Sequence, residues 1–249
     1  MKTLILAALA ATTLGGAAIA QEVRLGTEGA YAPWNFMGDD GEVDGFEIEL
    51  GNELCERAGL SCTWVVNEWD TIIPNLVAGN YDAIIAGMSI TDERMQTIDF
   101  SDNYYPPDPS KFAQAAGADI NYDDLSGIRI GVQGATIQAA YAEQNFGENN
   151  TILSYETADQ SVADLSAGNV DVVLADGGYL APIVDGSGGA LEFAGPDVMI
   201  GGGVGIGLRK DDDEIEAKFN EAIASMKADG SLNELITEWF DPPNTFPEE

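Results

Sequence analysis

The segment IIAGMSITDERMQTIDFSDNYY contains one arginine, Arg94, in a chain with 10 Lys and Arg residues against 43 Asp and Glu residues. Arg94 follows an apolar predicted strand, YDAIIAG, and lies in a predicted helix, TDERMQTI, whose N-cap is Thr91. Backbone N–H groups at a helix start and a planar guanidinium can both hold a carboxylate. Arg94 is therefore a candidate anion-binding residue; the alternative is a surface ion pair with Asp92, Glu93 or Asp99.

Two further polar residues follow predicted strands. Thr136 lies in QGAT, after the strand IRIGV, and Asp176 comes directly after VDVVLA. Ligands of open α/β sheets bind beyond the carboxyl ends of the strands, so both residues can face a ligand. Thr136 can offer its hydroxyl or only cap the next helix. Asp176 can accept an ammonium group or only cap a helix that begins near Tyr179.

A carboxylate and several aromatic residues come from the first part of the chain. Glu28, Tyr31 and Trp34 follow the strand VRLGT, and Trp69 lies further on. Aromatic rings can line an apolar slot or stack on a cation, although each of them can equally belong to a core. Together with one arginine and one strand-end carboxylate, they suit a zwitterion, which needs a cation for its carboxylate and an acid for its ammonium group.

The composition disfavours several classes of function. The chain has no histidine and only two cysteines, and it has neither a Walker A sequence nor GxGxxG after a strand. We therefore expect no catalytic residues, no cofactor and no metal site. The formal net charge of −33 argues against nucleic acid and anionic membranes as partners, because both require a basic face.

The first 20 residues predict export. MKTLILAALAATTLGGAAIAQ has a basic start, an apolar run and Ala18-Ile19-Ala20, which is typical of a signal peptide cleaved after Ala20; an anchor helix is the alternative. In an oxidising compartment Cys55 and Cys62 can form a disulfide between a helix end and the next strand. Two free buried thiols, or a metal pair, are the other interpretations.

Alternating strands and helices predict an α/β fold with parallel sheets. VRLGTEGAY resembles IRIGVQGAT, and LVAGNYDAIIAG resembles LSAGNVDVVLAD, in the same order, which favours two similar lobes. YYPPDP and IGGGVGIG are expected to cross between them as a hinge. The predicted boundaries are 21–107 with 201–249 for lobe 1, and 108–200 for lobe 2.

Long motifs identify a family resemblance. YAPWNF, WDTIIPNLVAGNYDAIIAGMSITDER, IDFSDNYY and GVQGAT resemble the periplasmic solute-binding proteins for polar amino acids that serve ABC importers, bacterial extracellular solute-binding family 3. The resemblance implies a two-lobe, type II periplasmic-binding-protein fold that closes on its ligand. It also implies a periplasmic location, a membrane permease as partner and a monomer. An enzyme on the same scaffold, of the prephenate or arogenate dehydratase type, is the rival.

The resemblance also assigns roles by position. Arg94, with Ser89 and Thr136, would bind the ligand α-carboxylate, and Asp176 and the Gly87 carbonyl would bind the α-ammonium group. The aromatic residues would line the slot for the ligand side chain. Two acids, Glu28 and Glu47, would contact that side chain if it is cationic. The expected ligand-binding residues are Glu28, Tyr31, Trp34, Glu47, Trp69, Gly87, Met88, Ser89, Arg94, Thr136 and Asp176.

The ligand class follows from the subgroup that the chain resembles. LCERAGLSCTW and the two acids resemble the lysine/arginine/ornithine and histidine binders, so a basic amino acid is expected. Ala86-Gly87 resembles glutamine binders instead, and PPDPSKFAQAAGADI is atypical where the family enters its second lobe with an apolar strand. Glutamine or another uncharged polar amino acid is therefore the alternative ligand.

Overall fold

The computed structural model describes residues 21–247, so the predicted signal peptide lies outside the described residues. The described chain alternates strands and helices. The strands are β1 (Gln21–Thr27), β2 (Ala30–Tyr31), β3 (Asn35–Met37), β4 (Val43–Asp44), β5 (Leu60–Val66), β6 (Ala83–Ile84), β7 (Asp99–Tyr105), β8 (Ser110–Ala115), β9 (Arg129–Gln133), β10 (Thr151–Tyr155), β11 (Val172–Asp176), β12 (Leu191–Val198) and β13 (Val204–Leu208). The α-helices are α1 (Phe46–Ala58), α2 (Ile72–Val77), α3 (Ile137–Phe146), α4 (Ala158–Ser166), α5 (Gly177–Gly186), α6 (Asp213–Asp229) and α7 (Ser231–Trp239).

Two five-stranded sheets organise the molecule as an α/β fold of two lobes. The sheet of lobe 1 has the order β5-β1-β6-β13-β7, and that of lobe 2 has the order β10-β9-β11-β8-β12. In both sheets one strand lies between two parallel neighbours: β1 between β5 and β6, and β9 between β10 and β11. These strands carry the repeated sequence segments, so the internal repeat corresponds to equivalent strands of two similar sheets.

Two connections join the lobes. The chain leaves the first sheet after Tyr105 and enters the second at Ser110, and it returns between Val198 and Val204. The predicted boundaries at 107/108 and 200/201 fall within these connections. Gly203 has a φ of 95°, and a Cβ atom there would lie 2.8 Å from the Tyr105 carbonyl oxygen, so the close approach of the two connections requires glycine.

The disulfide prediction is confirmed. Cys55 near the end of α1 and Cys62 in β5 are bonded, with their Cα atoms 6.2 Å apart. Gly59 ends the helix at a φ of 65°, the left-handed conformation that lets the chain turn back into the strand. The disulfide therefore fixes α1 against the edge of the lobe 1 sheet, and it leaves no free cysteine in the described chain.

Two predicted elements are shorter in the structure, and one strand was not predicted. The expected helix TDERMQTI is one 3₁₀ turn over Arg94–Gln96, and the expected strand YDAIIAG pairs only over Ala83–Ile84. The atypical segment PPDPSKFAQAAGADI contains β8, which lies between β11 and β12. The sequence did not predict this strand, because its polar residues do not look like those of a buried strand. Gln114 is nevertheless buried, and its amide donates to the Ala118 carbonyl oxygen at 3.0 Å.

The hydrophobic core lies between the sheets and their helices. In lobe 1, α1 and α6 pack together, and Phe46, Leu50, Leu54 and Phe219 are fully buried. Within residues 21–247, no helix is long and apolar enough to cross a membrane. The short β2, β3 and β4 form a small third sheet that the sequence did not reveal, because each of these strands has only two or three residues.

Candidate ligand-binding site

A cavity lies between the lobes, beyond the carboxyl ends of β1, β6, β9 and β11. Both lobes line it, as expected for an α/β protein whose parallel strands point at a shared cleft. The lining residues are Glu28, Tyr31, Trp69, Ala86, Gly87, Ser89, Arg94, Gln133, Thr136, Ile137, Gln138 and Asp176. Most of the predicted site residues are therefore brought together.

Arg94 lies on the lobe 1 side of this cavity. Its Nη1 donates to the Ser89 carbonyl oxygen at 2.9 Å, and its guanidinium lies 5.3 Å from the ring centroid of Trp69. Burial lowers the pKa of Arg94 to about 10, so the side chain is charged at neutral pH. Arg94 forms no ion pair with a residue of the described chain, and Asp99 pairs with Lys210 instead at 2.7 Å. The surface-pair interpretation is wrong.

Asp176 lies opposite, at the end of β11 in lobe 2. Its Oδ2 accepts from the Tyr31 hydroxyl at 2.8 Å, and its Oδ1 accepts from Gln138 Nε2 at 2.8 Å. Burial raises the pKa of Asp176, while the Tyr31 hydrogen bond and the charge of Arg94 oppose that rise. Asp176 stands at the N-cap position of α5, but its side chain makes no capping hydrogen bond. The capping interpretation is therefore wrong for this residue.

Thr136 caps the next helix, as one interpretation expected, and its hydroxyl is used within the turn. Its Oγ1 accepts from the Ala139 backbone N–H at 3.0 Å, so it caps α3, and it donates to the Gln133 carbonyl oxygen at 2.7 Å. The same residue lines the cavity. Since the hydroxyl already donates inside the turn, the groups here that could receive an anion are the backbone N–H groups at the start of α3.

Glu28 is a second buried carboxylate, at the end of β1. It is 7% exposed, and its Oε1 accepts from Gln133 Nε2 of lobe 2 at 2.6 Å. Burial raises the pKa of Glu28 to about 7; the Gln133 hydrogen bond opposes the rise, and the charges of Asp159, Glu47 and Asp70 add to it. No Lys or Arg of residues 21–247 forms an ion pair with Glu28.

Aromatic contacts close the cleft. The rings of Tyr31 in lobe 1 and Tyr179 in lobe 2 stack at 4.3 Å with an interplanar angle of 5°. Trp69 Nε1 donates to the Ala135 carbonyl oxygen across the cleft at 3.2 Å. With the Tyr31–Asp176 and Gln133–Glu28 hydrogen bonds, these contacts hold the two lobes against each other around the cavity.

Three predicted site residues lie behind the cavity lining. Trp34 packs edge-on against Phe46, Tyr105 and Phe240, and it lines a neighbouring cavity instead. Met88 is fully buried in the lobe 1 core, and Glu47 is also fully buried. The structure does not bring these three side chains to the cavity surface.

Two glutamines are site residues that the sequence did not single out. Gln133 ends β9, so the rule that points to strand ends could have identified it. Gln138 lies in the first turn of α3, where the sequence gives no comparable signal. Each amide donates to a cavity carboxylate: Gln133 to Glu28 and Gln138 to Asp176. In residues 21–247, no group of three acidic, His or Cys side chains could hold a metal ion.

The family profile of the bacterial extracellular solute-binding proteins, family 3, matches residues 23–242. The lysine/arginine/ornithine-binding periplasmic protein of Escherichia coli strain K12 is 38% identical over 237 residues, covering 90% of each chain. The histidine-binding periplasmic protein of the same strain is 38% identical over 258 residues, covering 97% of this chain and 98% of that protein.

Solved structures give the same relationship. A periplasmic His/Glu/Gln/Arg/opine family-binding protein from Silicibacter pomeroyi, in complex with lysine, is 54% identical with a TM-score of 0.84, covering 90% of this chain and all of that one. An ancestral arginine-binding protein bound to arginine is 28% identical with a TM-score of 0.82, covering 88% and 98%. The chain belongs to the bacterial extracellular solute-binding proteins, family 3.

Proposed function

We propose that this chain captures a basic L-amino acid in the periplasm by hinge closure and delivers it to an ABC permease. The observation that carries the proposal is Glu28, a buried cavity carboxylate that no cation of the described chain neutralises. Leaving a buried charge without a partner is costly, so a cationic ligand side chain would compensate it. The relatives named for lysine, arginine, ornithine and histidine support the same ligand class.

The α-carboxylate of the ligand is assigned to the Arg94 side of the cavity. The guanidinium can bind a carboxylate bidentately, and Trp69 holds it from one face. Ser89 and the start of α3 at Thr136 supply further hydrogen-bond donors. In this proposal lobe 1 binds the carboxylate first. When the lobes close, the donors of lobe 2 at the start of α3 complete its hydrogen bonds.

The α-ammonium group is assigned to Asp176 and the Gly87 carbonyl oxygen. Tyr31 and Gln138 orient the Asp176 carboxylate with one hydrogen bond to each oxygen. The side chain of the ligand then runs between Tyr31 and Trp69 towards Glu28. Trp34, Met88 and Glu47, which are buried in lobe 1, would support this wall from behind.

The transport role extends these assignments. We propose that residues 1–20 are the export signal, that residues 21–107 with 201–249 and residues 108–200 move as two bodies, and that the protein acts as a monomer. Closure on the ligand would give the permease a shape that it distinguishes from the open form. Catalysis is not proposed, because the family is one of solute-binding proteins and the cavity groups suit a zwitterion.

An uncharged polar amino acid is the second candidate ligand. The pKa of Glu28, raised by burial to about 7, lets this side chain be protonated near neutral pH and donate to an amide carbonyl oxygen. The Ala86-Gly87 pair in the cavity wall is the sequence feature that favours glutamine. The two candidates therefore differ in the charge state of one residue.

A thermal-shift screen separates these candidates. Protein freed of bound ligand by unfolding and refolding is tested against the twenty amino acids, ornithine and octopine. A ligand at one hundred times its Kd adds about 2.7 kcal/mol of stability, which raises Tm by about 5 to 10 °C in a chain of this size. We expect the largest shifts with arginine, lysine and ornithine. Larger shifts with glutamine would select the second candidate, and no shift with any compound would contradict both.

A further inference from the structure

Glu47 is a carboxylate with no exposed surface, in the first turn of α1. Its Oε1 accepts from the Gly87 backbone N–H at 2.6 Å and from the Tyr104 hydroxyl, and its Oε2 accepts from Asn35 Nδ2 at 2.6 Å. Burial raises its pKa, and these three hydrogen bonds oppose that rise. An ionised carboxylate is the group that accepts from three donors at once.

The hydrogen bonds continue from Asn35 to a second loop. Asn35 Oδ1 accepts from the Gly29 backbone N–H at 2.7 Å, and Gly29 lies between the cavity residues Glu28 and Tyr31. One chain of hydrogen bonds, which we call the Glu47 network, therefore runs from Gly29 through Asn35 and Glu47 to Gly87. Its two ends lie in the two lobe 1 loops that line the cavity.

The loop at Gly87 has little regular structure of its own. The preceding strand β6 has only two residues, and Gly87 adopts a φ of 60°, so β-sheet pairing does not determine the direction of its peptide groups. The Glu47 bond draws the Gly87 N–H into lobe 1. The Gly87 carbonyl, which our proposed function assigns to the ligand ammonium, belongs to the peptide that follows.

We propose that Glu47 is a positioning residue that holds both ligand-binding loops of lobe 1 and does not itself contact the ligand. The inference rests on the proposed function for what the loops bind. It replaces the expectation that Glu47, like Glu28, meets the cationic side chain of the ligand. A direct contact would change the preference between charged and neutral ligands, whereas a positioning role changes the affinity for all of them together.

The donors and acceptors of the network explain why one substitution tests it. In Glu47→Gln, the new Nε2 would face Asn35 Nδ2, which is also a donor. Turning the Asn35 amide over would restore that contact, but its Nδ2 would then face the Gly29 N–H. At least one hydrogen bond is lost in either arrangement.

A double variant restores every hydrogen bond and reverses the direction of only the bond between residues 35 and 47. In Asn35→Asp/Glu47→Gln, the new Asp accepts from the Gly29 N–H and from the new Gln Nε2. The Gln Oε1 still accepts from Gly87 and Tyr104. The net charge is unchanged, and only the position of the charge and the direction of one bond differ from the natural protein. Recovery in this variant identifies the network, and not a charge at residue 47, as the cause.

The affinity test uses L-arginine and L-glutamine as probes in calorimetry, with Glu49→Gln as the control on the same helix. We expect Glu47→Gln to weaken both ligands by the same factor, about tenfold or more for a lost bond to a charged group, and the double variant to regain most of it. An unchanged affinity for both ligands, or a loss confined to arginine, would overturn the proposal. Glu28→Gln provides the contrasting pattern, in which the ratio changes.

A ligand-free measurement keeps this inference separate from the proposed function. The amide protons of Gly29 and Gly87 are followed by NMR in the natural protein and each variant. We expect faster hydrogen exchange and altered shifts at one or both glycines in Glu47→Gln, and recovery in the double variant. Unaltered glycine amides would overturn the network whether or not any amino acid binds. If Glu47→Gln does not fold, the same measurements compare the natural protein with the double variant and with Tyr104→Phe, which removes one donor to Glu47.

Discussion

The cavity contains two buried carboxylates that resemble each other in placement and differ in surroundings. Asp176 ends β11 in lobe 2 and Glu28 directly follows β1 in lobe 1, and each accepts from a glutamine of lobe 2. Asp176 also accepts a hydrogen bond from Tyr31, and the positive charge of Arg94 stabilises its ionised form. The charges that act on the pKa of Glu28 are those of the carboxylates Asp159, Glu47 and Asp70, and all three raise it. The protein thus balances the charge of Asp176, and in the proposed function the ligand balances that of Glu28.

This difference separates general from selective recognition. In our proposal, Arg94 and Asp176 are a pair of opposite charges that bind the α-carboxylate and α-ammonium groups. Every free amino acid has these two groups, so this pair contributes to the affinity for all ligands. Glu28 has no counterpart in the described chain, so the side chain of the ligand decides whether it is compensated. Variants at the first pair should therefore affect every ligand, and variants at Glu28 should change the order of ligands.

The largest effect is expected for Arg94→Ala. Removing one member of a buried charge pair costs about 2 to 5 kcal/mol, or about 30-fold to several thousand-fold in Kd. We expect calorimetry to detect no binding of arginine or glutamine. The control is Arg129→Ala, because Arg129 pairs with Asp171 at 2.7 Å outside the cavity. Near-natural affinity in Arg94→Ala would contradict the assignment of the carboxylate site.

A comparable loss is expected for Asp176→Ala. Without the carboxylate, the ligand ammonium loses its partner, and the Tyr31 hydroxyl and Gln138 amide lose their acceptor. Asp176→Asn should lose less, because the amide oxygen still accepts one of these bonds. Asp185→Ala in the following helix is the control. If all ligands bound Asp176→Ala normally, the comparison of the two carboxylates would fail.

A smaller and selective effect is expected for Glu28→Gln. The amide keeps the shape of the side chain but removes the charge, so arginine should weaken about tenfold relative to glutamine. Calorimetry with the two ligands in parallel gives this ratio. Glu22→Gln, exposed on the same strand, should leave it unchanged. An unchanged ratio in Glu28→Gln would remove the basic-ligand proposal while leaving the zwitterion site intact.

The smallest effect is a dependence on pH. Burial raises the pKa of Glu28 to about 7, so below that pH a proton competes with a cationic ligand. The affinity for arginine should rise with pH towards about 7, by at most tenfold per unit, and level off above it. Calorimetry from pH 6 to pH 8 measures this dependence. Glu28→Gln should flatten the profile, and a profile that kept its slope in this variant would assign the titration to another group.

The strand ends were the most predictable part of the site. Glu28, Arg94, Thr136 and Asp176 all follow predicted strands, and the carboxyl ends of parallel strands meet at one cleft. Sequence therefore locates these residues without knowledge of their partners. The alternation of strands and helices predicted the α/β fold for the same reason, since each element is a local pattern.

The partners of these residues were less predictable. Glu47 was expected to face the ligand, but its acceptor atoms are used by Asn35, Gly87 and Tyr104, which are far apart in sequence. Only the packed lobe brings these donors together. Likewise, the helix expected around Arg94 is a single turn, because the chain enters β7 at Asp99. Helix propensity is a property of the local sequence, so it could not show that the chain must enter the sheet again after one turn.

The central claim is that this cavity recognises both the zwitterion and a positive charge on the side chain. L-Citrulline has nearly the shape of L-arginine, but a neutral urea group replaces the guanidinium. Parallel calorimetry of the two compounds on ligand-free natural protein at pH 8 tests the claim most directly. The account predicts that both bind and that arginine binds at least about tenfold more tightly, the size expected for one charge-assisted contact. Equal affinities, or no binding of arginine, would contradict it.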